Sequence, residues 1–183
     1  MSSRIRGSRG YQGFTLLEVM ITVIILGVLS SIAVPAFLVW LPDYRLRSAA
    51  SDLYSNMQLA KMMAIGSNKK CWMIFDPDGS GSYEIRGPDG TPEKRVDFLD
   101  YDPDGNIGYG RGNATRNATT SGGPIQEDFI SYRYNKATFN PCGMGSFGYV
   151  YLSNDRGTAY AVGTWFAGVI VLKKWNDTIN SWE

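Results

Sequence analysis

The feature that most constrains this chain is an uninterrupted apolar run close to its start. No charged residue occurs from Val19 to Pro42, a stretch of 24 residues. About 20 apolar residues in a helix cross the hydrocarbon core of a bilayer. The first 13 residues contain three arginines and no acid: Arg4, Arg6 and Arg9. Because basic flanks stay in the cytoplasm, the pattern predicts a single membrane-spanning helix that sends the rest of the chain outward.

An ordinary secretory signal peptide shows the same order of basic and apolar segments. On that interpretation, cleavage follows Ser31-Ile32-Ala33 and the mature protein begins at Val34. Two observations oppose it: the apolar run is long for a signal peptide, and an acid, Glu18, stands near its start. An ionisable side chain at membrane depth is costly, which indicates a function that involves a specific partner.

A family motif spans the junction between the basic leader and the apolar run. Its residues are Gly13-Phe14-Thr15-Leu16-Leu17-Glu18, then Val19 to Ala33, then Val34-Pro35-Ala36-Phe37. The motif closely resembles the class III signal of type IV pilins and type II secretion pseudopilins. The resemblance implies that prepilin peptidase cuts after Gly13 and that Phe14 becomes the N-methylated terminus. It also implies that Glu18 is the glutamate used in assembly.

The same resemblance implies a location and a set of partners. The helix would anchor the protein in the inner membrane, and the C-terminal domain would lie in the periplasm before the protein enters a pseudopilus or pilus. The implied partners are prepilin peptidase, other pilin or pseudopilin subunits and the assembly platform in the inner membrane.

Cleavage would place an α-ammonium on Phe14, four residues before Glu18. A carboxylate in the first turn complements the helix dipole. Within lipid it still lacks a full counter-charge, which the Phe14 ammonium of an adjacent subunit would supply. In the alternative, Glu18 neutralises the Phe14 ammonium of its own subunit. The two pairings, within one subunit and between subunits, can also occur one after the other.

Helical periodicity continues beyond the apolar run and predicts a second, amphipathic half of the same helix. Apolar residues repeat at steps of three and four, at Leu46, Ala50, Leu53, Met57, Ala60 and Ala64. The helix is expected to end near Gly66, after roughly 80 Å at 1.5 Å per residue. Pro35 and Pro42 are expected to kink or locally unwind it. The predicted organisation is a leader (1–13), a membrane and assembly segment (14–42), an amphipathic segment (43–66) and a β-rich domain (67–183).

Short strands follow the helix, separated by Asp-Gly and similar turn signals. The predicted strands are Cys71–Phe75, Tyr83–Arg86, Arg95–Leu99, Phe129–Tyr134, Gly148–Leu152, Thr158–Val162 and Gly168–Leu172. Residues 105–123 are expected to form a long surface loop. The fold class is therefore α+β and pilin-like, with a long N-terminal helix packed on an antiparallel sheet. This order of elements is most similar to the GspH/FimT branch of minor pseudopilins and minor pilins.

Composition excludes several functions. The chain has no histidine, which removes serine-histidine-aspartate, cysteine-histidine and histidine-zinc chemistry. Without the three leader arginines, 15 basic and 17 acidic side chains remain. This balance is unlike that of a nucleic-acid binder, so neither catalysis nor nucleic-acid binding is expected.

Two smaller features remain open. A single disulfide between Cys71 and Cys142 is expected in a domain outside the cytosol, with two unpaired thiols as the alternative.

Asp76, Asp78 and Ser80 have the alternating spacing of a calcium loop, but the twelfth position is Gly87 instead of glutamate. A turn is the favoured interpretation, so no cofactor is expected and calcium is the alternative.

These observations favour a non-catalytic, minor subunit of a type II secretion pseudopilus or a type IV pilus. The alternative is a minor pilin that acts as a binding module, displayed on a filament to capture a surface, a secreted substrate or DNA.

Overall fold

A computed structural model describes residues 13–77 and 81–183. One long helix, α1 (Leu16–Ser67, 52 residues), is followed by strands only, apart from two short 3-10 turns. The strands are β1 (Cys71–Asp76), β2 (Ser82–Arg86), β3 (Pro92–Asp97), β4 (Gly108–Tyr109), β5 (Lys136–Phe139), β6 (Gly148–Ser153), β7 (Ala159–Thr164), β8 (Ile170–Asn176) and β9 (Ser181–Trp182). The chain divides into two units, one ending at Val39 and the other comprising Trp40–Glu183. The predicted α+β class is confirmed.

Helix α1 ends one residue later than expected. Gly66 is helical, and the first residue beyond the helix is Asn68, whose φ of 53° lies in the left-handed region. Its N–H donates to the carbonyl of Ile65 at 3.3 Å. Asparagine tolerates this conformation better than most residues and often terminates a helix, so Asn68, and not Gly66, has the terminating role.

The backbone at Pro35 and Pro42 is helical, as it is on either side of both residues. Of the two expected effects, a kink or local unwinding, the second does not occur at either residue. A proline removes one hydrogen bond and crowds the preceding turn, but a helix can absorb that change without ending. A kink at either residue stays a prediction.

The strands form two antiparallel sheets. The four-stranded sheet has the order β3-β2-β1-β5, and the five-stranded sheet has the order β4-β6-β7-β8-β9. Strand β1 pairs with β2 through Ile74↔Glu84 and with β5 through Trp72↔Thr138. Because β5 is far from β1 in sequence, the four-stranded sheet is complete only after the chain has formed β4, which belongs to the five-stranded sheet.

The amphipathic half of α1 shares one apolar core with both sheets. All six residues of the predicted stripe are buried, which confirms the helical period. The same core cluster contains Met73 and Ile85 of the four-stranded sheet and Val150 and Val162 of the five-stranded sheet. Four of the buried helix residues are alanines: Ala49, Ala50, Ala60 and Ala64. Their small side chains bring the helix backbone close to the sheets.

Buried polar contacts fix the register of this half of the helix. Asn56, 5 % exposed, donates to the Tyr83 hydroxyl at 2.7 Å and accepts from the Lys94 ammonium at 3.1 Å. Asp102, 3 % exposed, accepts from the Arg45 guanidinium and from the N–H of Asn106. Such groups stabilise a fold only when they are paired. Sliding of the helix by one residue would break the contacts of Asn56 and Arg45 with residues outside the helix.

The segment Phe129–Tyr134 is not a strand, although its composition predicted one. Only Ile130 bridges to Val150, and Phe129 and Tyr134 have left-handed φ values of 59° and 58°. The alternating apolar pattern is real, because Ile130 and Tyr132 are buried in the core, but the backbone turns at both ends. The strand in this part of the chain is β5, which begins two residues later.

The glycine-rich stretch 105–123 also differs from the expected surface loop. It contains β4, which pairs with β6 through Tyr109↔Leu152. Ala114 and Ala118 are buried, and the N–H of Ala118 donates to the Tyr151 hydroxyl at 2.9 Å. The stretch therefore covers one face of the five-stranded sheet.

Candidate functional site

The candidate site is the beginning of helix α1. Gly13, Phe14 and Thr15 have no regular secondary structure, and the helix begins at Leu16. The Thr15 hydroxyl accepts a hydrogen bond from the N–H of Glu18 at 3.2 Å, and the Thr15 carbonyl accepts one from the N–H of Val19. Thr15 is thus the N-cap residue and Glu18 is the third helical residue. The spacing is that of a capping box, but the Glu18 carboxylate does not bond back to the Thr15 N–H, so only the threonine half of the box is formed.

Sequence reasoning assigned no role to Thr15, although the signal was present. A threonine followed three residues later by glutamate, before an apolar run, is the usual sign of a helix start. The peptide bond between Gly13 and Phe14 lies two residues outside the helix, and the Phe14 side chain is 81 % exposed. The residues on both sides of this bond are exposed and lie outside regular secondary structure.

The Glu18 side chain is exposed, and no group in the described ranges hydrogen-bonds to its carboxylate. The carboxylate is therefore available to another group. It lies at the positive end of a helix dipole, a position that suits a negatively charged side chain.

The other polar side chains near Glu18 are satisfied by the helix itself. The Thr22 hydroxyl donates to the carbonyl of Val19 at 2.8 Å, and the Ser31 hydroxyl donates to the carbonyl of Val28 at 2.7 Å. Serine and threonine commonly bond to a preceding carbonyl in this way. Glu18 is therefore the one side chain between Phe14 and Pro42 that carries a charge and lacks an internal partner.

Every described residue from Gly13 to Trp40 is exposed in the isolated chain. An 18-residue window of α1 has a mean hydropathy of 2.5, with none of it buried. By length and composition, the helix is able to cross a membrane. The exposed apolar surface includes Val23, Ile24, Leu26 and Leu29, which are 59 % to 62 % exposed. A surface of this kind requires lipid or other protein to cover it.

The two cysteines are not bonded to each other, so the predicted disulfide is absent from the structure. Cys71, the first residue of β1, is fully buried, whereas Cys142 is exposed in the turn after β5. Cys71 lies opposite Phe139 in the β1–β5 ladder, and Phe139 is three residues before Cys142 in the sequence. One thiol points into the core and the other faces solvent, which accounts for the missing bond.

The possible calcium ligands fall largely outside the described part of the chain. Asp78 and Ser80 are not among the described residues, and Asp76 is the last residue of β1, opposite Ser82. Within residues 13–77 and 81–183, no group of three or more acidic or cysteine side chains is arranged to hold a metal. A turn without a cofactor stays the prediction, and calcium stays the alternative.

Two crystal forms of a known protein resemble this structure. They are the type IV minor pilin FimU of Pseudomonas aeruginosa PAO1 in space groups P65 and P21. Each has a TM-score of 0.46, with 16 % and 18 % sequence identity. The matches cover 69 % and 71 % of this chain, and 91 % and 89 % of FimU, respectively.

Sequence comparison gives two further matches. Residues 8–34 match the prokaryotic N-terminal methylation motif. The chain is also 33 % identical over 119 residues to the type IV major fimbrial protein FimA of Dichelobacter nodosus. That alignment covers 58 % of this chain and 71 % of FimA.

Proposed function

Because the chain belongs to the type IV pilin family, we propose that it is a non-catalytic filament subunit that assembles through the beginning of helix α1. Prepilin peptidase cleaves after Gly13 and N-methylates Phe14. The helix anchors the subunit in the inner membrane, with the C-terminal domain in the periplasm. The Glu18 carboxylate then pairs with the Phe14 ammonium of an adjacent subunit, at the membrane platform from which the filament grows.

One observation carries this proposal: the Glu18 carboxylate has no partner in its own described chain, although it lies in an apolar segment. An unpaired charge in lipid is costly. The subunit therefore gains free energy when another subunit provides the opposite charge at the same depth. Thr15 supports the assignment, because it caps the helix without using the carboxylate.

We propose a type IV pilus in preference to a type II secretion pseudopilus. The relative at 33 % identity is a fimbrial protein, and a fimbrial filament is the simplest assembly for a chain that shares its sequence. A minor role within that filament follows from the resemblance of the element order to the GspH/FimT branch. The absence of histidine from the sequence favours a structural role over an enzymatic one.

The mature N-terminus tests this proposal most simply. The full chain would be purified from membranes of a host that contains prepilin peptidase, and its N-terminal peptide would be analysed by mass spectrometry. We expect the peptide to begin at Phe14 with one added methyl group. A peptide beginning at Val34 would instead identify an ordinary signal peptide, and retention of the leader would contradict processing. A Gly13→Leu variant serves as a control that should stay uncleaved.

A further inference from the structure

The helix face that carries Glu18 holds one further polar side chain, Thr22. It lies four residues beyond Glu18 and is the only polar residue between Glu18 and Ser30. Residues four apart share one face of a helix, with their Cβ atoms about 5–6 Å apart. Phe14, Glu18, Val19 and Thr22 together line a hollow of about 240 Å³ at the beginning of α1. The two polar side chains therefore face the same space.

The hydroxyl of Thr22 can only accept a further hydrogen bond. A hydroxyl has one proton and two lone pairs, and Thr22 donates its proton to the carbonyl of Val19 at 2.8 Å. No other group in the described part of the chain bonds to this oxygen. An ionised carboxylate likewise only accepts. The side chains that line the hollow thus offer acceptors on two residues and no free donor.

The other walls of the hollow are apolar, since they are formed by Phe14 and Val19. At membrane depth no water supplies the missing donors. A group that fills the hollow must therefore bring N–H or O–H donors for two residues and an apolar part for the walls. It must also be a cation, because an unpaired Glu18 carboxylate in lipid is costly.

The proposed processing would create a group with this chemistry. Cleavage turns the nitrogen of Phe14 into a primary ammonium with three N–H donors, and methylation replaces one of these hydrogens with a methyl group. The product has a positive charge, two N–H donors and an apolar substituent. Two hydrogen bonds to one nitrogen, each about 2.7–3.2 Å long, span the distance between side chains four residues apart. Each of the two acceptor residues then receives one N–H, and none is left over in the hollow.

We propose that Thr22 is a second binding residue for the methylammonium of an adjacent subunit. The Glu18 carboxylate accepts one of its N–H groups, the Thr22 hydroxyl accepts the other, and the methyl group lies against Val19. This proposal rests on the proposed function, since it needs the pairing of subunits through Glu18. The carboxylate supplies the charge but accepts over a broad range of directions, whereas the second acceptor fixes the direction in which the cation enters.

A purely structural role for Thr22 has a different consequence. Serine and threonine often bond to a preceding carbonyl within a helix, and Ser31 bonds to the carbonyl of Val28 at 2.7 Å in a stretch without charge. If Thr22 had this role alone, valine in its place would suit lipid better and would leave assembly unchanged. Ser31 is therefore the matched control.

Three single substitutions separate the two roles. Thr22→Val keeps the shape of the side chain and removes the acceptor, Thr22→Ser keeps the hydroxyl, and Ser31→Ala removes the matched hydroxyl. Each full-length variant would be expressed beside the wild-type chain and the other pilus subunits. Mass spectrometry of the peptides that differ would give the ratio of variant to wild type in sheared filaments and in membranes.

We expect Thr22→Val to lower the filament-to-membrane ratio about tenfold, which is equivalent to about 1.4 kcal/mol. Thr22→Ser and Ser31→Ala should each lower it less than twofold. Incorporation of Thr22→Val at the wild-type level would overturn the assignment of Thr22. So would a loss in Thr22→Ser or Ser31→Ala as large as that in Thr22→Val.

A double variant tests whether Thr22 and Glu18 bind the same cation. Glu18→Gln removes the charge that holds the methylammonium in the hollow, so the addition of Thr22→Val should lower the ratio less than twofold further. A further tenfold loss would overturn the shared site, because independent effects multiply. Wild-type incorporation of Glu18→Gln itself would contradict the proposed function, whereas a loss in Glu18→Gln with none in Thr22→Val would overturn only the role of Thr22.

Discussion

The hydroxyl of Thr15 accepts the hydrogen bond of the Glu18 amide at 3.2 Å, one turn beyond the Gly13–Phe14 bond. This contact determines where helix α1 begins. The Thr15 hydroxyl therefore caps the helix, and the Glu18 carboxylate remains available to a partner.

Replacement of Thr15 by alanine should fray the first turn of α1. Loss of an N-cap costs about 1 kcal/mol, which corresponds to roughly fivefold faster amide hydrogen exchange. The measurement is exchange at the Glu18 amide of the full chain in detergent micelles. Thr15→Ser keeps the hydroxyl and should exchange like wild type. Identical exchange in the alanine variant would show that the contact does not hold the helix start.

Gly148, the first residue of β6, has no room for a side chain. A Cβ atom there would lie 2.4 Å from Cδ1 of the buried Tyr132 ring, whereas a Cβ atom at Gly108 in β4 would meet nothing within 4 Å. Gly148→Ala should lower the free energy of unfolding by about 2 kcal/mol or more, since the ring cannot move without disturbing the core. Gly108→Ala should change it by less than about 0.5 kcal/mol. Urea unfolding of both variants would test the packing. Equal losses of unfolding free energy in the two variants would contradict it.

The sequence predicted those parts of the fold in which one local pattern dominates. The apolar stripe of α1 was recognised because a single face packs on the sheets. Strands β1, β2 and β6 were recognised because each carries aromatic or β-branched residues between turn signals. The arrangement of these strands in two sheets was not predictable in the same way. It depends on β5, a four-residue strand that pairs with β1 across a gap of some sixty residues.

The errors have physical causes in particular residues. The aromatic segment before β5 was read as a strand because Ile130 and Tyr132 are buried, but burial alone does not distinguish a strand from a loop that packs inward. At the site, the motif identified Glu18 and missed Thr15.

Alkaline pH should destabilise the domain through its buried tyrosines. Burial raises the pKa of Tyr151 to about 12, above the ordinary value near 10, and burial also raises the pKa of Tyr83 and Tyr132. Below pH 10 these phenols are neutral in both states. Between about pH 10 and 12 only the unfolded chain releases the Tyr151 proton, so stability falls as the pH rises, by about 3 kcal/mol from this residue.

The matched variant is Tyr151→Phe, which cannot titrate. It should lose about 1 kcal/mol at pH 7, because the N–H of Ala118 loses its acceptor, yet its stability should fall less steeply above pH 10. Urea unfolding at pH 7, 10 and 11.5 would measure both effects. Parallel alkaline losses in the variant and the wild type would contradict the role of Tyr151.

The two thiols should differ sharply in reactivity. Cys142 is exposed and should react with a thiol reagent in the folded protein. Cys71 is buried, and burial raises the pKa of its thiol, so it should react only after unfolding. Quantification of labelled thiols with and without denaturant would test this, with Cys142→Ser as the control that leaves no reactive thiol in the folded state. Two thiols that both stay unlabelled until a reductant is added would reveal a disulfide.

The most direct test of the account concerns the charge of Glu18. Glu18→Gln keeps the size of the side chain and removes its charge, and it leaves the N–H that Thr15 accepts. The measurement is the amount of full-length variant in sheared filaments and in membranes, together with the mass of its N-terminal peptide. We predict a methylated Phe14 terminus and normal membrane content, with at least about tenfold less variant in filaments. Incorporation of Glu18→Gln at the wild-type level would contradict the pairing of Glu18 with a neighbouring Phe14.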